Sequence, residues 1–316
     1  MPLISIVGAG RVGSTTAFML AMKDLADIML VDIVEKVPQG EAMDIMHAAA
    51  SGFSANVEGS NDFSKMAGSD IVINTAGMAR RPGMDRLDLL NRNIQIVRSV
   101  AASIKKHAPD AIIIQVSNPM DALNYAMRKA GGFQREQVIG MGGMLDSQRF
   151  SLFLAQELNR NYSGQKAGES VVRPADVKAM VIGEHGESQV PLFSQSFLKG
   201  ECVAGMLDKR QMQKLVGMTR EAGSEIIALK GATFFAPAIA ITSMVENVLG
   251  DRKDVMPCSI CLENEYGQDG LSIGVPARLC REGLDEVVDL DINDEERSMF
   301  DMSARKMKNV IEEVGL

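Results

Sequence analysis

Along the first 140 residues, short runs of consecutive aliphatic residues alternate with longer stretches in which apolar positions recur at helical spacing. Residues 3–7 (LISIV), 28–31 (IMLV), 70–74 (DIVIN), 111–116 (AIIIQV) and 137–139 (QVI) are the predicted strands, with helices over 34–50 and 91–107 among the intervening segments. These strands do not alternate apolar with polar positions, so both of their faces are expected to be buried, as in a parallel sheet covered by helices. Crossovers between parallel strands are right-handed, and an open, doubly wound sheet follows.

Beyond residue 144 the texture changes to a helix over 146–159, a polar segment over 161–174 (NYSGQKAGESVVRP), a strand over 177–182, and then longer helices and strands. Asn293, followed by Asp294, Glu295 and Glu296, has the N-cap and acidic first turn of a terminal helix. The 316 residues therefore divide into a doubly wound α/β domain over 1–144 and an α+β domain over 145–316. No internal repeat is present, and most of the 22 methionines are expected to fill gaps in the core.

Composition removes several classes of function. Hydrophobic residues at 46% and charged residues at 23% describe a chain that buries a core. A net charge of −8 argues against a surface that tracks nucleic-acid phosphates, so any bound anion must be gripped locally. The longest uncharged stretch, residues 231–245, contains a proline and is shorter than the roughly 20 apolar residues of a bilayer span. The amino terminus lacks the basic region of a secretory leader, so a cytoplasmic protein is expected. Four cysteines fit a reducing compartment. Cys258 and Cys261 form a C-x-x-C within an apparent strand, without a second pair or histidines to complete a zinc site, and read as buried packing.

Two constellations carry chemistry. Gly8-Ala9-Gly10-Arg11-Val12-Gly13 follows the first strand and opens a helix, the setting in which G-x-G-x-x-G marks a Rossmann dinucleotide site. Asp32 ends the second strand, where a carboxylate accepts from ribose hydroxyls and repels a 2′-phosphate, so NAD is expected in preference to NADP. Of the three histidines, His47 reads as a packing residue within a helix and His107 as an exposed ring at a helix end. His185 lies in Gly183-Glu184-His185-Gly186, a loop able to present the ring to a cleft. Asp146 and Arg149, three residues apart at a helix start, share one face, and an acid beside an imidazole fixes its tautomer. The glycine-bounded basic segment 77–86 follows a strand's carboxyl end and is suited to act as a lid, while Asn118 in Ser117-Asn118-Pro119 offers an amide at the same sheet edge to a substrate oxygen and to the nicotinamide neighbourhood.

These residues resemble the lactate and malate dehydrogenases, and within them the lactate dehydrogenase-like malate dehydrogenases. The likeness runs in order through GAGRVGST, Asp32, PQGEAMDIMHA, NTAGMARRPGMDRLDLLNRN, VSNPMD, GGMLDSQRF and IGEHGESQVPLFS, and continues to the terminal helix. It implies that His185 accepts the proton in alcohol oxidation with Asp146 as its partner. Arg149 would grip the substrate carboxylate, Arg86 would polarise the carbonyl, and Asn118 would assist both. Arg80, rather than Arg81, falls at the position that discriminates substrates. Asn93, Val116, Ser117 and Asn118 match further NAD contacts. The implied enzyme interconverts (S)-malate and oxaloacetate with NAD, its partners being a small dicarboxylate and copies of itself in a homodimer or homotetramer.

Two departures stand out: the segment 161–174 is several residues longer than usual, and Gln148 replaces a customary small residue. Three other readings compete. A dehydrogenase for lactate or another 2-hydroxy acid would share the site. An NAD-dependent glycosidase would need a longer chain and a metal site. A non-catalytic NAD-binding module would have no use for His185, Asp146, Arg149, Arg86 and Arg80 together.

Overall fold

The computed structural model describes residues 1–78, 85–162 and 171–316. Its N-terminal half contains β1 (Leu3–Val7), α1 (Arg11–Met22), β2 (Asp27–Val31), α2 (Val37–His47), β3 (Val57–Ser60), β4 (Ile71–Asn74), α3 (Arg86–His107), β5 (Ile112–Gln115), α4 (Met120–Gly131) and β6 (Val138–Gly140). The strands pair in parallel in the order β3-β2-β1-β4-β5-β6. That order reverses between β1 and β4, the crevice where open α/β sheets take ligands. β4 and β5 are buried at every position, their Ile and Val runs covered on both faces and their terminal Asn74 and Gln115 buried in a mutual hydrogen bond.

The second half comprises α5 (Gly142–Tyr162), β7 (Val177–Lys178), β8 (Val181–Ile182), β9 (Val190–Pro191), β10 (Phe197–Leu198), β11 (Glu201–Cys202), α6 (Lys209–Lys230), α7 (Phe235–Gly250), β12 (Val255–Glu263), β13 (Asp269–Cys280), β14 (Gly283–Val287) and α8 (Asp294–Glu313). The antiparallel strands β12, β13 and β14 extend the parallel sheet to nine strands through the pair Ser259 and Gly140. A smaller apolar cluster around Phe150, Leu158, Phe193 and Leu215 lies within the second half. Asn293 caps α8 as expected, accepting from the Glu296 N–H at 2.9 Å.

Several expected elements shift. β3 was not anticipated, because VEGS is a half-polar edge strand. The helix expected over 34–50 starts at Val37, and the one expected from residue 91 begins at Arg86. The helix expected from residue 146 begins at Gly142, so Asp146 stands a turn inside it. The strand expected over 177–182 is broken between β7 and β8. His47, expected to pack, is exposed at the end of α2. Cys258 and Cys261 are both buried in β12, but a separation of three places them on opposite faces of the strand, where they cannot share a metal. No helix among the described residues is long and apolar enough to cross a membrane.

Candidate active site

The glycine turn is built by close approach. Gly8 takes φ of +102°, and a Cβ on Gly13 would lie 1.9 Å from the Gly8 carbonyl oxygen, so neither tolerates a side chain. Gly10, at the N-cap of α1, makes no side-chain cap, and a Cβ there would meet nothing within 4 Å. The uncapped amides of the first turn thus face open space, a cradle that fits a diphosphate. Asp32 is half-buried at the end of β2. Its Oδ2 accepts the Ala9 N–H at 2.7 Å and its Oδ1 the Val34 N–H at 2.9 Å, which fixes the carboxylate at the rim of the cradle. Arg11 is exposed, 5.9 Å from the Phe234 ring, and Val12 is half-buried beside it.

Across the crevice, side-chain amides tie the strand ends together. Asn74 donates to Gln115 Oε1 at 2.8 Å, and Gln115 donates to Ser117 Oγ at 2.7 Å, which holds the turn after Val116. Asn118 is exposed, and its Oδ1 accepts the Met120 N–H at 3.2 Å, so the NH₂ end is the one suited to a ligand oxygen. Asn93 is 1% exposed, with its amide committed to main chain. Oδ1 accepts the Met78 N–H at 2.8 Å, while Nδ2 donates to the Met78 carbonyl at 3.2 Å and the Asn118 carbonyl at 2.8 Å. Asn93 therefore ties together the two loops that border the cofactor crevice.

The second wall comes from α5 and the loop after β8. His185 Nδ1 lies 2.6 Å from Asp146 Oδ2, and Arg149 Nη1 donates to Asp146 Oδ1 at 3.0 Å. A contact this short to a buried carboxylate puts the proton on Nδ1 and leaves the Nε2 lone pair as the acceptor. Burial pushes His185 toward its neutral form, but the charge and hydrogen bond of Asp146, with the charge of Asp121, outweigh it, so the imidazole is more basic than usual. Arg149 is mostly buried, and its Nε has no hydrogen-bond partner among the described residues, a cost that a bound anion could relieve. Gly142 seats the histidine: a Cβ there would lie 2.7 Å from His185 Cβ.

The structure thus brings together His185, Asp146 and Arg149, and places the glycine turn with Asp32 and the Val116, Ser117 and Asn118 turn at one edge of the sheet. Arg80 and Arg81 lie outside the described residues. Arg86 opens α3 rather than lying in the loop before it, and its side chain also lies outside what is described. Missed in the sequence were Gly142, whose signal is the Gly-Gly pair before Asp146, and the Asn74–Gln115 link, which has no sequence signal.

Residues 3–140 match the family model described as lactate/malate dehydrogenase, NAD binding domain, and residues 143–315 match the alpha/beta C-terminal domain of the same family. The chain is 42% identical to a malate dehydrogenase of Bacillus pumilus over 98% of its own length and 96% of that protein. It superimposes on the crystal structure of malate dehydrogenase from Cryptosporidium parvum with a TM-score of 0.92 and 37% identity, covering 99% of each chain. A lactate dehydrogenase from the same organism, crystallised with lactic acid and nicotinamide adenine dinucleotide, gives a TM-score of 0.92 and 35% identity over 99% of this chain and 98% of that one. With both halves matched, the chain belongs to the lactate/malate dehydrogenase family of NAD-dependent oxidoreductases.

Proposed function

We propose that this enzyme is a malate dehydrogenase that interconverts (S)-malate and oxaloacetate. The observation that carries the reading is the chain of contacts from the His185 imidazole through Asp146 to Arg149, 2.6 and 3.0 Å long, at the edge of an NAD-binding sheet. NAD, when bound, supplies the hydride acceptor. The protein's task is to hold the substrate and move one proton. Nε2 of His185 takes the hydroxyl proton, and Asp146 keeps Nδ1 protonated and stabilises the resulting imidazolium. Arg149 holds the C1 carboxylate with its uncommitted donors, and the Asn118 NH₂ supports the oxygen at the reacting carbon. Asp32 accepts from the adenosine ribose, and the first turn of α1, with Gly8, Gly10, Arg11, Val12 and Gly13, receives the diphosphate.

The remaining assignments rest on the sequence: Arg86 polarises the carbonyl, and Arg80 pairs with the second carboxylate that distinguishes oxaloacetate from pyruvate. The relatives named malate dehydrogenase support that choice over lactate. Residues 1–144 carry the cofactor and residues 145–316 the substrate. The chain acts in the cytoplasm, within the tricarboxylic acid cycle, as a homodimer or homotetramer. Phe18 and Met22 on α1 and Ile239 on α7, at 37%, 43% and 42% exposure on helices packed together, supply an apolar face for self-association. Nicotinamide absorbance with oxaloacetate or pyruvate, each with NADH or NADPH, tests the reading, and equal rates on the two keto acids overturn it.

A further inference from the structure

The turn that carries Asn118 also carries an acid to which neither the motif reading nor the mechanism above gives a role. Asp121 lies in the first turn of α4, where an aspartate usually faces water, yet it is 1% exposed. Its Oδ2 accepts the main-chain N–H of His185 at 2.7 Å, while its buried Oδ1 has no well-formed hydrogen bond among the described residues, the Ser259 hydroxyl being the polar group beside the carboxyl. The charged groups around it come from three elements besides its own helix. The loop after β8 contributes His185 and Glu184. Asp146 and Arg149 come from α5, and Lys306 of α8 pairs with Glu184 at 2.8 Å. Opposite, on β12, the Ser259 hydroxyl is the neutral group that favours its charge.

Desolvation is the largest influence on this carboxyl and pushes it up to about 6, against the opposing pull of Ser259, the His185 N–H and the His185 charge. A buried carboxylate is costly unless it does something for its neighbours. Two consequences follow from its position. The bond to His185 locks the loop of the proton acceptor to the turn that presents Asn118, so the two groups meant for one substrate oxygen move as a unit. The negative charge also adds to that of Asp146 in favouring the imidazolium.

We propose that Asp121 is a positioning residue for proton transfer: it fixes His185 through its main chain and adds a second buried carboxylate to that of Asp146 beside the imidazole. The proposal rests on His185 being the proton acceptor. Asp121→Asn separates the two effects, since its amide oxygen still accepts the His185 N–H while the charge is gone. In this variant the pH at which kcat/KM for malate oxidation rises should fall by roughly one unit, because loss of a nearby negative charge lowers the imidazole's proton affinity. The falling limb of oxaloacetate reduction should move down with it. Asp121→Ala removes the bond as well and should lower kcat at least tenfold further at every pH, with NADH binding, followed by fluorescence, kept in both variants. A pH profile of Asp121→Asn superimposable on that of the wild type overturns the electrostatic part whether or not the alanine variant folds. Wild-type kcat in Asp121→Ala overturns the positioning part. Substantial turnover in His185→Asn, measured in the same assay, overturns the assignment of His185 instead.

Discussion

At Asp32 one carboxylate serves the fold and, in the proposed reading, the cofactor as well. Each oxygen already accepts a main-chain N–H, one of them from Ala9 inside the glycine turn, so the acid proposed to read the ribose also holds that turn in place. Asp32→Ser should therefore do two things. Loss of the charge facing a 2′-phosphate raises the use of NADPH relative to NADH. Loss of the bond to Ala9, a charge-assisted bond worth about 1.5 to 3 kcal/mol, weakens NADH by roughly tenfold to a hundredfold. Steady-state kcat/KM with both cofactors measures the two effects, and a wild type that already prefers NADPH refutes the first. Charge counting governs the other end of the site as well. Oxaloacetate brings two carboxylates and pyruvate one, and in the proposed assignment Arg149 serves the carboxylate they share and Arg80 the second. On that assignment pyruvate would leave the Arg80 guanidinium without its counter-charge, a cost on the order of 3 kcal/mol, or about a hundredfold in efficiency. Arg80→Gln should lower kcat/KM for oxaloacetate steeply while raising it for pyruvate. A switch produced by Arg81→Gln instead would move the assignment by one position.

At the scale of elements, the site depends on how tightly the start of α5 meets the loop after β8. A Cβ on Gly142 would fall 2.7 Å from His185 Cβ and 2.5 Å from Met120 Cε. The methionine has rotamers to yield with, but the histidine, held at its main chain by Asp121 and at its ring by Asp146, does not. Gly142→Ala should lose about 1 kcal/mol to overpacking, since at the first position of α5 the change brings little helix propensity. Its thermal midpoint should stay within a few degrees of wild type while displacement of the imidazole lowers kcat by roughly a hundredfold. Unchanged kcat would show that the close packing at Gly142 has no bearing on the chemistry. This contact also marks what a sequence makes legible. Runs of three aliphatic residues such as those opening IVIN and IIIQ declared their strands because burial on both faces favours apolar residues at successive positions, whereas VEGS did not, because an edge strand buries little. Gly142 and Gly143 fall outside the helix expected over 146–159, yet they form its first turn. His185, Asp146 and Arg149 were legible from residue type and spacing. Asn93 was placed only by the family resemblance and Asp121 not at all, because their hydrogen-bond partners are main-chain groups brought near only by the fold.

Taken as a whole molecule, the two matched regions are not two separable bodies. β12 continues the parallel sheet beside β6, Asn124 of α4 donates to the Ser259 carbonyl at 3.1 Å, and Arg128 pairs with Glu263 at 2.7 Å. One apolar cluster runs from Ile4 in β1 to Ile311 in α8, taking in Cys258, Ile260 and Leu262 on the way. Removing either half would expose the edge of β6 or β12 and the apolar surface beneath α4, so neither half has a complete core of its own. A single cooperative thermal transition is expected in calorimetry, with the calorimetric and van't Hoff enthalpies in agreement once any self-association is accounted for. The cofactor sharpens the test. NADH at a hundred times its Kd adds about 2.7 kcal/mol to whatever unit contains its site. In a single cooperative structure that increment raises the midpoint of the entire transition, residues 145–316 included. If the halves were independent, the scan would split, with the transition of the N-terminal half moving to higher temperature and that of the C-terminal half staying where it was. Such a split would show that the Ser259–Gly140 junction and the shared core do not couple the two halves.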